Sequence, residues 1–198
     1  MTDEQLVTEE HTSHRREWLA VLRRQLVDVR FFIALVILVF VLGALSGARN
    51  PSQVHDLVAA FSVWAKQMKN LGPVGLIVGI FLRNATAVGV TLLCGIFFGI
   101  APLFAALTNG LLVGYVFAVS PLQTWKLIPH GIFELPAVFI GWGLGVWCGM
   151  WLLKTPRWQT LKFRLGRSIR IYFTLIVPLL VVAAIIEGGL ASLLFGTG

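Results

Sequence analysis

Between Phe31 and Ala48, eighteen consecutive residues carry no ionisable side chain. As a helix, such a run approaches the roughly 30 Å hydrocarbon thickness of a bilayer at 1.5 Å per residue. Similar apolar stretches recur at 73–100, 103–119, 130–153 and 171–195. Inside lipid no water is present to satisfy a backbone N–H or C=O, so each stretch must close its own hydrogen bonds as a helix. The sequence therefore reads as an all-α, polytopic transmembrane bundle of about five spans. Residues 1–30 form a charged tail ending in a helix, and 31–198 form one transmembrane domain. The composition agrees: 57% of residues are hydrophobic and 13% charged, where a soluble domain carries about 25% charge. The tail is too long and too charged for a signal peptide, so 31–48 reads as an uncleaved span.

Turn residues separate the runs. Arg49-Asn50-Pro51-Ser52 closes the first. Over 54–69, apolar Val54, Leu57, Val58, Phe61, Trp64 and Met68 mix with Asp56, Lys66 and Lys69, which suits an amphipathic helix on the membrane surface. Gly72-Pro73 opens the second span, Ala101-Pro102 turns into the third, and Ser120-Pro121 ends it. Residues 154–170 read as a basic loop, and Pro178 should kink the fifth span.

The net charge of +7 raises the question of nucleic acid. No nucleic-acid motif accompanies it, and the cations flank the spans. Five precede the first span, and six (Lys154, Arg157, Lys162, Arg164, Arg167, Arg170) fall between the fourth and fifth. Basic residues so placed set orientation and contact anionic lipid. With the N-terminus in the cytoplasm, five plus six cations lie inside, against Arg49, Lys66, Lys69 and Lys126 outside. The expected orientation is N-terminus in, C-terminus out. Trp64 and Trp125 fit the outer interface, Trp151 and Trp158 the inner. Cys94 and Cys148 sit in apolar runs without any CxxC or Cys/His spacing, so neither a metal, a cofactor nor a disulfide is expected.

The informative residues are polar ones inside spans: Arg83, Asn84, Asn109, His130, Glu134 and Glu187. An ionisable group at mid-bilayer costs about 2.5–3.5 kcal/mol on insertion scales, so each needs a partner or a wet cavity. Counting inward from the outer span ends puts Arg83 and Asn109 at ~15 Å, Glu134 at ~9 Å and Glu187 at ~12 Å. Arg83 is thus expected to bridge the two glutamates, with Asn84, Asn109 and His130 completing the hydrogen bonding. Such a group either fixes helix register or lines a polar path.

Small residues give a second pattern. Gly141, Gly145 and Gly149 share a helix face with His130 and Glu134. Further GxxxG pairs occur at Gly75/Gly79, Gly95/Gly99 and Gly110/Gly114, a density expected of a compact bundle or a dimer. No HExxH, aspartate pair, phosphate loop or nucleophile elbow is present.

The series Arg83-Asn84-Ala85-Thr86, Gly95-xxx-Gly99, Asn109-Gly110 with Gly114, Pro129-His130-Gly131-Ile132-Phe133-Glu134-Leu135-Pro136 and finally Glu187 resembles the stage II sporulation protein M family over about 31–195. That family usually shows an Asn pair before its second span, and Arg83 stands in the first of those places. The resemblance implies a multi-pass protein of a prokaryotic cytoplasmic membrane. It also implies a scaffold, since the sporulation member localises two peptidoglycan-degrading proteins. The expectations are therefore a non-enzymatic, partner-recruiting membrane protein or, alternatively, a transporter or lipid mover using the Arg/Glu/His group. An intramembrane enzyme built on His130 and Glu134 is the third reading.

Overall fold

The computed structural model describes residues 3–54, 56–59, 72–120 and 128–195. Among these every regular element is helical. The main helices are α1 (Asp3–Arg49), α2 (Pro73–Cys94), α3 (Ile100–Val119), α4 (Ile128–Gly149), α5 (Arg157–Ile171) and α6 (Val177–Phe195). Among the described residues, five stretches are long and apolar enough to cross a membrane: Leu22–Arg49, Val74–Cys94, Ile100–Val119, Gly131–Leu153 and Arg157–Glu187. The expected surface helix at 54–69 falls mostly outside the described residues, as do Trp64 and Trp125.

Three boundaries differ from those expected. The tail and first span are one helix, α1, of 47 residues. The second span stops at Cys94 instead of running to Ile100, and the chain turns across Gly95–Gly99. Phe98 and Gly99 take φ of 58° and 70° there, the left-handed region that glycine enters freely and phenylalanine enters at about 1–2 kcal/mol. The turn is as apolar as the helices it joins, so hydropathy does not reveal it. Its backbone groups still find partners. Gly99 N–H donates to the Gly95 carbonyl at 2.8 Å, and Trp151 Nε1 donates to the Ile96 carbonyl at 3.1 Å. Trp151 is thereby a staple of the fold. Ala101-Pro102 then falls in the first turn of α3, where proline's missing N–H costs nothing.

The third difference is the basic segment, which is a helix, α5, and not a loop. Leu161, Arg164, Ser168 and Ile171 are its buried residues, a spacing of three and four that defines one helix face. A π turn at Tyr172–Ile176 joins it to α6. Pro178 cannot donate to the carbonyl four residues back. The widened turn starts a fresh α segment at Val177 and places the proline at its second position, where no donor is required.

At the centre stands α4. Of its most apolar stretch 61% is buried within the bundle, against 22–28% for the other four spans. The pair α1 and α3 packs on it, as does the pair α2 and α6. Val36, Phe40, Val88, Leu92, Leu144, Trp147, Ile176 and Leu180 fill the contacts. Tyr172 Oη donates to the Ala85 carbonyl at 2.7 Å and ties the α5–α6 junction to α2. The outward residues, among them Phe104, Phe117 and Phe173, are large and apolar. In lipid that exposure carries no penalty, because tails are as apolar as the side chains.

Glycine sets how close the helices come. A Cβ on Gly110 would meet the Phe40 carbonyl oxygen, and one on Gly114 the Ala44 carbonyl oxygen. From the other side, a Cβ on Gly43 would stand 2.5 Å from the Leu107 carbonyl oxygen, and one on Gly47 would meet that of Leu111. The pairing rises in step along both chains, so α1 and α3 run parallel, backbone against backbone. On α4, Gly141 faces Val88, Gly145 faces Pro102 and Leu92, and Gly149 meets Gly95 and Gly99. These faces are filled from within one chain.

Candidate functional site

Two groups of polar side chains lie at different heights in the bundle. The first gathers around Arg83. Its helix, α2, packs against α4 and α6, and its guanidinium lies within Coulombic range of Glu134 on α4 and Glu187 on α6. Both glutamates are half-buried, and the Oε2 atom of each is enclosed. One turn below, Thr86 Oγ1 donates to the Leu82 carbonyl at 2.6 Å. Asn84 beside Arg83 is half-buried.

Asn109 does not join them. Its Nδ2 donates to the Ala105 carbonyl of its own helix at 2.8 Å, and α3 is the partner of α1. The expectation that four spans share one polar level holds an error at this residue: equal depth on two helices says nothing of the direction each side chain faces. His130 lies in the first turn of α4, and its side chain falls outside the described residues. Among the described residues, no three His, Cys, Asp or Glu side chains gather as a metal would require.

The second group was not foreseen. Arg164 and Ser168 are the buried polar side chains of α5. The Arg164 guanidinium donates to the Trp147 carbonyl and lies over the Trp147 ring, 4.8 Å from its centroid. Trp147 is in the last turn of α4, where carbonyls lack a regular α-helical donor. A cation there supplies the missing hydrogen bond and meets the negative end of the helix dipole. Arg167 also lies over the Trp147 ring, at 5.3 Å, and its Nη2 pairs with Asp28 Oδ2 on α1 at 2.8 Å. Below Arg164, Ser168 Oγ and Cys148 Sγ share a hydrogen bond at 3.2 Å. Three helices, α1, α4 and α5, are joined by this group.

Arg164 therefore turns away from lipid, contrary to its expected place among six lipid-facing cations. The signal lay in the sequence: Leu161, Arg164, Ser168 and Ile171 fall on one helical face once 157–171 is allowed to be a helix. Lys154, Arg157, Lys162 and Arg170 are exposed as expected. The thiols also part company, Cys148 being buried and Cys94 exposed.

Apolar helices of spanning length, glycine-to-backbone contacts and ionisable side chains drawn into helix junctions define a polytopic α-helical membrane protein. The match to known families is more specific. The model of the family described as stage II sporulation protein M matches residues 31–192, most of the chain, and the chain belongs to that family. No curated protein and no solved structure gives a significant match.

Proposed function

We propose that the protein is a membrane scaffold that recruits partner proteins, with α1 as the recruiting element. One observation carries this: α1 is a single helix of 47 residues, ~70 Å long at 1.5 Å per residue, more than twice the ~30 Å a bilayer requires. Its uncharged part is 31–48, so the excess lies at the N-terminal side. There the sequence carries Asp3, Glu4, Glu9, Glu10, Arg15, Arg16 and Glu17, a spacing that distributes charge of both signs over all faces of a 3.6-residue period. A helix polar on all sides does not bury itself against its own bundle; it bridges to something else. The Lys/Arg asymmetry between the two sides of the membrane, five in residues 1–30 and six over 154–170 against Arg49, Lys66, Lys69 and Lys126, supports a cytoplasmic placement of the arm. Family membership supports the same reading.

A photocrosslinking residue at Glu10 or Arg16, in the full chain and its native membrane, is expected to yield one or two discrete protein adducts. The same probe at Phe104, which faces lipid, is expected to yield none. Protein-free adduct patterns at both arm positions, across several detergents, would end the scaffold reading.

A second reading, transport or lipid movement, is favoured by one observation: Arg83 on α2 stands within Coulombic range of Glu134 on α4 and of Glu187 on α6. Such groups in spans often mark pathways. In proteoliposomes, Glu134→Gln and Glu187→Gln are expected to lower flux of protons, ions or labelled lipid by tenfold or more if the group lines a path. Equal flux from folded wild type and both variants would reduce the group to helix register.

A further inference from the structure

We infer that a cleft between α1 and α5 is a stoichiometric binding site for the phosphate-bearing headgroup of an anionic glycerophospholipid. This goes beyond the scaffold reading and does not depend on it.

The cleft is an open groove of about 480 Å³ lined by Arg24, Gln25 and Asp28 of α1 and by Lys162, Phe163, Arg167 and Arg170 of α5. Four of those side chains are cations and one is an anion. The single carboxylate, Asp28, already pairs with Arg167 at 2.8 Å. Arg24, Lys162 and Arg170 are exposed, so three cations face the cleft beyond that ion pair. The floor is open at Gly166, where an added Cβ would meet nothing within 4 Å. The net positive charge left beyond the Asp28–Arg167 pair calls for an anion, and guanidinium forks suit phosphate oxygens.

Height selects lipid over a soluble anion. Asp28 lies just before the uncharged run that begins at Phe31, and Arg170 directly precedes apolar Ile171. Both walls therefore meet hydrocarbon at the rim of the cleft, which is the level of lipid phosphates. Three residues beyond Arg170, on the hydrocarbon side, Phe173 is 65% exposed, an apolar wall for acyl chains leaving the headgroup. A soluble phosphate compound would have no use for that wall. The site is thus distinct from a diffuse attraction to all basic residues of the segment: it uses Arg24 from a remote helix and excludes Arg164, which is committed to Trp147.

The test uses the full chain in nanodiscs of phosphatidylcholine carrying phosphatidylglycerol, with bound lipid counted by native mass spectrometry after mild detergent release. Wild type is expected to retain one phosphatidylglycerol. A juxtamembrane cation contributes about fivefold to lipid affinity. Arg24→Gln should therefore bind about fivefold more weakly, and the triple variant with Lys162→Gln and Arg170→Gln on the order of 100-fold. Lys154→Gln with Arg157→Gln, outside the cleft, should leave retention unchanged. The single Arg24 variant keeps the test alive if the triple variant does not fold, since Arg24 is exposed. Equal losses in the cleft and control variants would overturn the site in favour of diffuse attraction. Displacement of the lipid by millimolar inorganic phosphate or glycerol phosphate would overturn it in favour of a soluble anion.

Discussion

Gly114→Leu is expected to abolish recovery of folded, monodisperse protein, and Gly114→Ala alone to lower stability by about 1–3 kcal/mol. A Cβ at this position points at the Ala44 carbonyl oxygen of α1, and a backbone atom cannot move aside as a flexible side chain can. The clash is repeated along the same seam. Gly43, Gly47 and Gly110 each face a carbonyl of the opposite helix, so spreading the pair at one point forfeits contacts at the others. In lipid no hydrophobic force re-closes such a gap, because association rests on close packing itself. Gly166→Ala supplies the contrast. An added methyl there meets nothing within 4 Å, and the exchange of glycine for alanine in a helix favours folding by up to about 1 kcal/mol. Fluorescence-detected size exclusion after heating reads both. A Gly114→Ala melting temperature equal to that of wild type would contradict the packing described for α1 and α3.

That seam also marks where sequence reasoning stopped. Gly110 and Gly114 were visible as a small-residue pair, but Gly43 and Gly47, which face Leu107 and Leu111 across the same seam, lie inside the most uniform apolar run of the chain. Without a polar landmark, nothing in that run identifies an inward face. The number of spans was legible because hydropathy integrates over about 20 residues and tolerates local error. The turn at Gly95–Gly99 was illegible for the same reason: its cost is met by Trp151 from 55 positions along the chain, a contact no local window contains. The basic segment failed differently. Cations close together suggested a solvated loop, yet a helix over Arg157–Ile171 places three of its five cations outward and two inward. The Arg83, Glu134 and Glu187 grouping was approachable by counting depth, since charge in lipid must find charge. Asn109 shows the limit of that count, because a neutral amide is content with the carbonyl one turn away.

Removing the Arg164 side chain is expected to cost more than removing any other cation of the segment, about 3–5 kcal/mol for Arg164→Ala. The sum has two parts. Losing the charge-assisted bond leaves the Trp147 carbonyl enclosed and unsatisfied, about 1–3 kcal/mol, and losing a desolvated cation–π contact adds about 2 kcal/mol. Arg167 tests the assignment by comparison. It lies over the same ring, but its ion-pair partner Asp28 keeps 57% of its side chain exposed, and exposed pairs contribute about 0–1 kcal/mol. With a cation–π contact of about 0.5–1 kcal/mol added, Arg167→Gln should cost about 0.5–2 kcal/mol, less than Arg164→Ala. Arg164→Lys should fall near Arg164→Ala, because an ammonium keeps the charge but has neither the planar face nor the fork. Denaturant titration of the detergent-solubilised protein, followed through tryptophan emission, reads all three. If Arg167→Gln proved as damaging as Arg164→Ala, the junction of α4 and α5 would be held by the ion pair to α1 and not by the cap on the Trp147 carbonyl. If Arg164→Lys matched wild type, charge alone would suffice and the stacked geometry would have no energetic role.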